Sequence, residues 1–196
     1  MKLLQPYYCN KDTIQLSKNL LGKKLVTNIN NKLTSGLIVE TEAYLGINDK
    51  ASHAYSGKKT NRTNIMYHKG GVAYVYLCYG MHSLFNIVCN IKNIPHAILI
   101  RAIEPIDGID IMKSRRKING VNLTNGPGKL SKALGITKMN NNQSLLENII
   151  WIEDIDNDIV DKNILSVPRI GVDYAGKDAM LPYRFYIKKN KWVSKF

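Results

Sequence analysis

Glu40 and Glu42 stand two residues apart in the stretch Gly36-Leu-Ile-Val-Glu-Thr-Glu-Ala-Tyr-Leu-Gly46. On a strand that continues through them, both carboxylates project to the same side. Paired carboxylates are the usual equipment for cleaving a glycosidic bond, one as acid and one activating water. Where the leaving group already carries positive charge, one carboxylate suffices. It activates water against the anomeric carbon and stabilises an oxocarbenium-like transition state. The competing reading is a solvated strand-end acid paired with a lysine, and it suits Glu40 better than Glu42.

The surroundings favour a polyanionic target. From residue 50 to residue 103 there is no Asp or Glu, yet seven Lys or Arg and all four histidines fall there. Six of the eleven tyrosines lie between Tyr44 and Tyr79. The chain carries 28 Lys and Arg against 15 Asp and Glu, a net charge of +13. A Lys-, Asn- and Ile-rich composition explains part of that excess, but it does not explain why the acids desert one continuous third of the chain. A carboxylate beside a cationic, aromatic surface points to nucleic acid. An enzyme that attacks a base inside a duplex must expel it from the stack, with rings to hold it, a wedge for the gap and cations for the phosphates. Tyr44, His53 and Tyr76 are the candidate rings and Tyr79 the candidate wedge. Lys58, Lys59, Arg62 and Arg101 are the candidate cations. The plainer readings are a core tyrosine at Tyr76 and a solvated loop histidine at His53.

These residues need a frame to hold them. Asn10 or Asp12 caps a helix that Gly22 closes. Residues 24–28 and 33–44 read as strands joined at Asn30-Asn31. Residues 48–64, poor in apolar side chains, read as a long surface loop. Residues 72–79 alternate with period two, so Tyr74 and Tyr76 share one face and Val75 and Leu77 the other. Gly80 then turns the chain into a second hairpin arm, 81–90, with Tyr79-Gly80-Met81 at its tip. A strand at 97–103 and a helix at 107–117 follow. Asn125-Gly-Pro-Gly-Lys129 leads into a helix at 130–134, whose N-terminus and Lys129 could meet a phosphate. It lacks the Ser or Thr of a nucleotide-binding P-loop, since Leu130 stands there. The acids between Glu153 and Asp161 read as a solvated face, and 164–167 and 185–187 as final strands. Irregular alternation with hairpins predicts an α+β domain spanning 1–196, with no linker or repeat.

Composition excludes other classes. With 44% apolar and 22% charged residues the chain is globular. Cys9, Cys78 and Cys89 form no disulfide framework or zinc knuckle, and no His pair has metal-helix spacing. No cofactor or metal is expected. The N-terminus lacks a signal peptide's apolar run and no stretch approaches membrane-span length, so a soluble, cytoplasmic protein is expected.

Taken in order, Val39-Glu-Thr-Glu-Ala-Tyr-Leu-Gly46, His53, Val75-Tyr-Leu-Cys-Tyr-Gly-Met81, Asn86, Leu99-Ile-Arg-Ala-Ile-Glu-Pro105, Asn125-Gly-Pro-Gly-Lys-Leu130 and Arg169-Ile-Gly-Val-Asp-Tyr-Ala-Gly176 resemble the alkyladenine (3-methyladenine) DNA glycosylase family of the human type. The resemblance spans nearly the whole chain. It implies that Glu42 is the general base, with Arg101 and the Val172 carbonyl holding the nucleophilic water. Tyr44, His53 and Tyr76 would wall the base pocket, and the bulk of Asn86 would disfavour the amino group of guanine. Tyr79 would enter the minor groove with Met81 beside it. The implied fold is a single mixed domain with a curved, largely antiparallel sheet, surrounding helices and a protruding DNA-inserting hairpin. The implied activity is excision of alkylated or deaminated purines from double-stranded DNA by a monomer, with no metal and no strand cleavage. Asn61 and His82 differ from the vertebrate members. The alternative class is a non-catalytic DNA- or RNA-binding domain, which would gain nothing from a carboxylate at Glu42.

Overall fold

The chain is arranged about its longest strand, and that strand carries both carboxylates. In the computed structural model, which describes residues 1–194, β2 runs Lys32–Tyr44. Its first half pairs antiparallel with β1 (Lys24–Ile29) across a turn at Asn30 and Asn31. Both turn residues have positive φ, which the tightest hairpins require. Further along the same edge, Glu40, Thr41 and Glu42 pair instead with β8 (Arg184–Ile187). The opposite edge pairs with β5 (His96–Pro105), and that ladder shifts register around Glu40. The carboxylates therefore lie on a central strand, walled by backbone on both sides.

β3 (Val72–Cys78) and β4 (His82–Cys89) extend the sheet beyond β5, while β6 (Ile150–Glu153) covers the outer edge of β1. β7 (Ile164–Val167) closes on β8. Every strand pair is antiparallel, and the sheet curls as a half-barrel within a single α+β domain, as expected. The last two residues of the expected 1–196 domain lie outside the described residues.

The two faces of the sheet are used differently. On one, Leu16 of α2 (Thr13–Asn19) and Leu130 and Leu134 of α4 (Pro127–Leu134) pack on Val75, Phe85, Ile87, Ile98 and Ile100. Each such side chain contributes about 1.5–3 kcal/mol by burial. On the other, Tyr74, Val88 and Ala97 pack against Ala54, Ile65 and Met66 from the connection before β3. The alternation read from 72–79 is thus realised, and it sends Tyr74 and Tyr76 to the face where the cleft forms.

Helix ends follow local chemistry. Asp12 caps α2 by accepting the Gln15 N–H at 2.9 Å. Gly22 ends that segment at φ +83°, where a Cβ would stand 2.2 Å from the Asn157 carbonyl oxygen. Only glycine fits there. α3 begins at Ile109 (Ile109–Arg116), two residues later than expected, because Asp107 is taken by Ser35 and Lys24. α4 starts earlier than expected, with Pro127 in its first turn. A short helix, α1 (Gln5–Tyr8), and β6 were not foreseen.

Two sequence expectations need correction. Residues 48–64 are more than a surface loop, since Ala51, Ser52, Ala54 and Thr63 are buried. The cause is Asp49, described below. Nor is the acidic stretch merely solvated, because Asp154 and Asp158 both grip the buried Lys23 ammonium and hold its pKa up against burial.

Candidate active site

Glu42 is fully buried. Its Oε1 accepts the Ile170 N–H at 2.9 Å and lies 3.2 Å from Arg101 Nη1. Its Oε2 accepts the Tyr44 hydroxyl at 2.8 Å. The solvated-acid reading fails for both carboxylates, because Glu40 is fully buried as well. Glu40 Oε1 takes Arg101 Nε at 2.9 Å, Arg184 Nη1 at 3.1 Å and the Ser194 hydroxyl at 2.8 Å, and its Oε2 accepts the Ser194 backbone N–H at 2.7 Å. Arg101 therefore bridges the pair, so both acids project to one side as the spacing required. Burial works against the Arg101 charge, but Glu42 and Glu40 outweigh it and hold its pKa above the ordinary value.

Above this centre opens a cleft of about 260 Å³, smaller than the roughly 300–1,000 Å³ of drug-sized sites and suited to a single planar ring system. Tyr44, Arg101 and Ile170, the three groups that hold Glu42, all line it. So do His53, Tyr76, Asn86, Tyr79 and Val172. Sequence reasoning thus named seven of the eighteen described residues of the wall. It missed Tyr74, Met66, Pro127 and Tyr174, which line it too.

The rings are fixed by one another. His53 stands edge-on to Tyr76 at 4.7 Å between centroids, and its Nδ1 is 2.8 Å from the Tyr74 hydroxyl. Tyr74 and Tyr76 are 5.4 Å apart and tilted by 32°. Among the described residues these ring contacts do not extend to Tyr44, whose ring instead has the Arg169 guanidinium 4.9 Å away. Burial, aided by the charge of Arg62, lowers the His53 pKa to about 4, so the imidazole is neutral at pH 7. Burial raises the Tyr74 hydroxyl to about 12, and burial with Glu42 raises Tyr44 well above its ordinary value. All three stay uncharged in the physiological range.

Asn86 is buried, and its amide donates to the Tyr74 and Leu84 carbonyls at 3.1 and 3.3 Å. The Val172 carbonyl accepts the Ala175 N–H at 2.8 Å. Tyr79 and Met81 sit at the hairpin tip, 88% and 72% exposed. The tip is tight, since Tyr79 and Gly80 both have positive φ and the Met81 N–H closes on the Cys78 carbonyl at 3.2 Å. A tyrosine in that conformation costs roughly 1–2 kcal/mol.

One pair that sequence reasoning left without a role clamps the cleft. Asp49 and Arg169 are both buried, with Arg169 Nη2 2.8 Å from Asp49 Oδ1. Asp49 also accepts the Leu45 and Ala51 N–H groups at 3.0 Å, and Arg169 donates to the Ala43 carbonyl at 3.0 Å. The pair ties the stretch after β2 to the stretch 168–178, and each supplies cleft residues. The available signal was position, because Asp49 is the last acid before the acid-free third.

Of the candidate phosphate cations, Arg101 needs correction, since it is buried between Glu40 and Glu42 and its charge is spent on them. The others divide into two groups. Lys58, Lys59 and Arg62 are exposed on the stretch after β2, with Lys59 5.2 Å from the Tyr67 ring. Lys129 lies in a separate groove of about 1,000 Å³ that runs between the hairpin and α4. Arg115, Arg116 and Lys132 line that groove with it. Among the described residues no three His, Cys, Asp or Glu side chains assemble as a metal site would need. No helix among them is long and apolar enough to cross a membrane.

Fold and cleft together define a class, an α+β protein whose cationic, aromatic-walled pocket opens over a buried carboxylate. The family model described as Methylpurine-DNA glycosylase (MPG) matches residues 7–191. The chain is 50% identical to a Chlamydia felis protein named "Putative 3-methyladenine DNA glycosylase", over 97% of this chain and 100% of the relative. Under the same name, proteins of Clostridium acetobutylicum and Bacillus mycoides are 45% and 44% identical, covering 99% and 97% of this chain and 98% of each relative. The chain belongs to the methylpurine-DNA glycosylase family. It is accordingly a hydrolase of N-glycosyl bonds that acts on DNA in the repair of DNA damage.

Proposed function

We propose that the protein flips an alkylated purine, such as 3-methyladenine, into the 260 Å³ cleft and hydrolyses its N-glycosidic bond with a water activated by Glu42. The observation that carries this reading is the burial of the Glu42 carboxylate directly behind three cleft-lining groups. Its Oε2 takes one hydrogen bond, from Tyr44, so acceptor capacity is left for a water. That water adds through oxygen to C1′ of the sugar and gives a proton to Glu42. The bonding electrons leave with the purine, whose alkylation charge they neutralise. The products are the free base and an abasic site. Arg101 holds Glu42 in place and, with the Val172 carbonyl, helps position the water. Tyr44 on one side and the His53–Tyr76 pair on the other hold the base, and Asn86 excludes the guanine amino group. Tyr79 fills the vacated space with Met81 beside it.

Among the described residues no lysine lines the cleft. A Schiff base at C1′ has no amine to form it, and the enzyme excises without cutting the strand. The duplex backbone lies along Lys58, Lys59 and Arg62 on one side of the hairpin and Lys129 with its neighbours on the other. The protein works as one domain and as a monomer, in the cytoplasm, nucleoid-associated while bound to DNA. A deaminated purine carries no alkylation charge, so its excision by the same water also needs a proton delivered to the departing base.

Glu42→Gln tests the central assignment. An oligonucleotide holding one 3-methyladenine analogue, treated with alkali after incubation, reveals abasic sites. The variant should keep its DNA affinity within a few-fold and lose excision by roughly 100-fold or more. Retained excision would move the base elsewhere.

A further inference from the structure

Among the described residues Glu40 is the one fully buried carboxylate that the mechanism above does not use. Its surroundings are unusual for a merely structural acid. Four hydrogen bonds converge on it, from Arg101, Arg184 and twice from Ser194, a residue 154 positions away near the far end of the chain. Removing a buried charge from water costs several kcal/mol, and an apolar residue of similar size often serves stability equally well. The geometry points to a different use. Arg101 presents Nε to Glu40 at 2.9 Å, Nη1 to Glu42 at 3.2 Å and Nη2 to the Ser194 hydroxyl at 3.4 Å.

Glu40 and Ser194 thereby occupy the Nε and Nη2 positions of the guanidinium. A free guanidinium beside a lone carboxylate favours the bidentate arrangement, with two parallel N–H donors on the two oxygens. In that arrangement Arg101 would also cover Oε2 of Glu42, the oxygen left with acceptor capacity. The observed single contact to Oε1 is what remains once the other two positions are taken.

We propose that Glu40, held by Ser194, is a positioning residue for excision. It restrains Arg101 to a single contact with Glu42, so that the second oxygen of Glu42 stays available to the water. The inference rests on Glu42 being the general base. It extends that reading to a second carboxylate and to Ser194, beyond the family match at 7–191.

The test measures single-turnover excision of a 3-methyladenine analogue at saturating enzyme, together with DNA affinity and thermal midpoint. Glu40→Gln keeps the shape but removes the charge. It should slow excision at least tenfold with affinity changed less than threefold, and Glu40→Asp should recover part of the rate. Ser194→Ala, a smaller change that preserves the buried charge, should lower the rate several-fold with little change in midpoint. In a Glu42→Gln background, Glu40→Gln should add almost no further loss, because residues acting as a unit are strongly non-additive. A wild-type rate in both Glu40→Gln and Ser194→Ala overturns the inference. So does a loss that tracks the midpoint and adds in full to that of Glu42→Gln. If Glu42→Gln alone excises normally, the general-base reading falls and this one falls with it. A Glu42→Gln that loses excision alongside an unimpaired Glu40→Gln sinks only the positioning role.

Discussion

At the floor of the cleft, cations and acids are matched, whereas in the groove beside the hairpin they are not. Arg101 lies between Glu40 and Glu42, Arg184 meets Glu40, and Arg169 meets Asp49. In the groove, Arg115 donates to the Ala133 carbonyl, Arg116 to the Asn122 carbonyl, and Lys129 to the side chains of Asn122 and Asn125. Among the described residues no carboxylate pairs with these three. Partial burial lowers all their pKa values, and for Lys129 the neighbouring Arg116 adds to it. Matched charges fix geometry, and unmatched ones store attraction for an anion that arrives later. The first arrangement suits a reacting centre and the second suits a polyanion's backbone.

The comparison breaks most visibly if one member of a matched pair is removed. Asp49→Ala leaves the Arg169 guanidinium buried without its counter-ion, which costs roughly 3–5 kcal/mol. A denaturant midpoint should fall accordingly, and excision should fall with it because two cleft-lining stretches lose their tie. Truncating Lys129 to Ala in the unmatched groove should leave the midpoint almost unchanged. A midpoint loss at Lys129 as large as that at Asp49 would erase the distinction.

That contrast also marks what could be read in the sequence. The pairing of Glu40 with Glu42, the alternation placing Tyr74 and Tyr76 together and the exposed Tyr79 tip were legible, because strand period and turn chemistry are local. The burial of the two acids was not. It comes from β8 arriving on the second half of β2, a pairing across more than 140 residues that no local pattern announces. The Asp49–Arg169 tie and the Ser194 contacts escaped for the same reason. The early part of the stretch 48–64 read as solvent-facing since its small side chains, Ala51, Ser52 and Ala54, carry little apolar signal, yet they pack closely once Asp49 is anchored.

The exposed tip gives the next largest effect. Expelling a paired nucleotide costs a few kcal/mol, and an inserted ring recovers roughly 1–3 kcal/mol by stacking. Tyr79→Ser should therefore weaken excision about 5- to 150-fold on a well-paired lesion and much less on a mispaired one. The thermal midpoint should hold, since Tyr79 is 88% exposed. Equal losses on both substrates would remove the wedge role.

Salt dependence sharpens the comparison within the cationic surface. If Arg116 and Lys129 each meet a phosphate, each truncation lowers the slope of log affinity against log salt by about 0.9. The same holds for Lys58 and Arg62 on the other side of the hairpin. An unchanged slope for the Arg116 and Lys129 pair, with a reduced one for Lys58 and Arg62, would confine the duplex to one side. The reverse would confine it to the groove.

The last effect concerns His53, which belongs to neither kind of charge site because it is neutral. Its pKa is about 4 in the fold, lowered by burial and then by Arg62, against about 6.5 for an unperturbed histidine. Between those values the unfolded chain binds a proton that the folded chain refuses. Stability tied to His53 is therefore fully present above about pH 6.5 and declines as pH falls toward 4. Below about 4 both states are protonated and the decline ends. His96, also lowered by burial, adds to the slope in the same direction. His53→Gln should flatten the fall of the thermal midpoint between pH 6.5 and 4 without abolishing it, and leave the midpoint at pH 8 changed only by lost packing against Tyr76 and Tyr74. A variant whose acid limb matches the wild type would mean that His53 is protonated in the fold. The neutral hydrogen bond to the Tyr74 hydroxyl would then be the wrong description of the pocket.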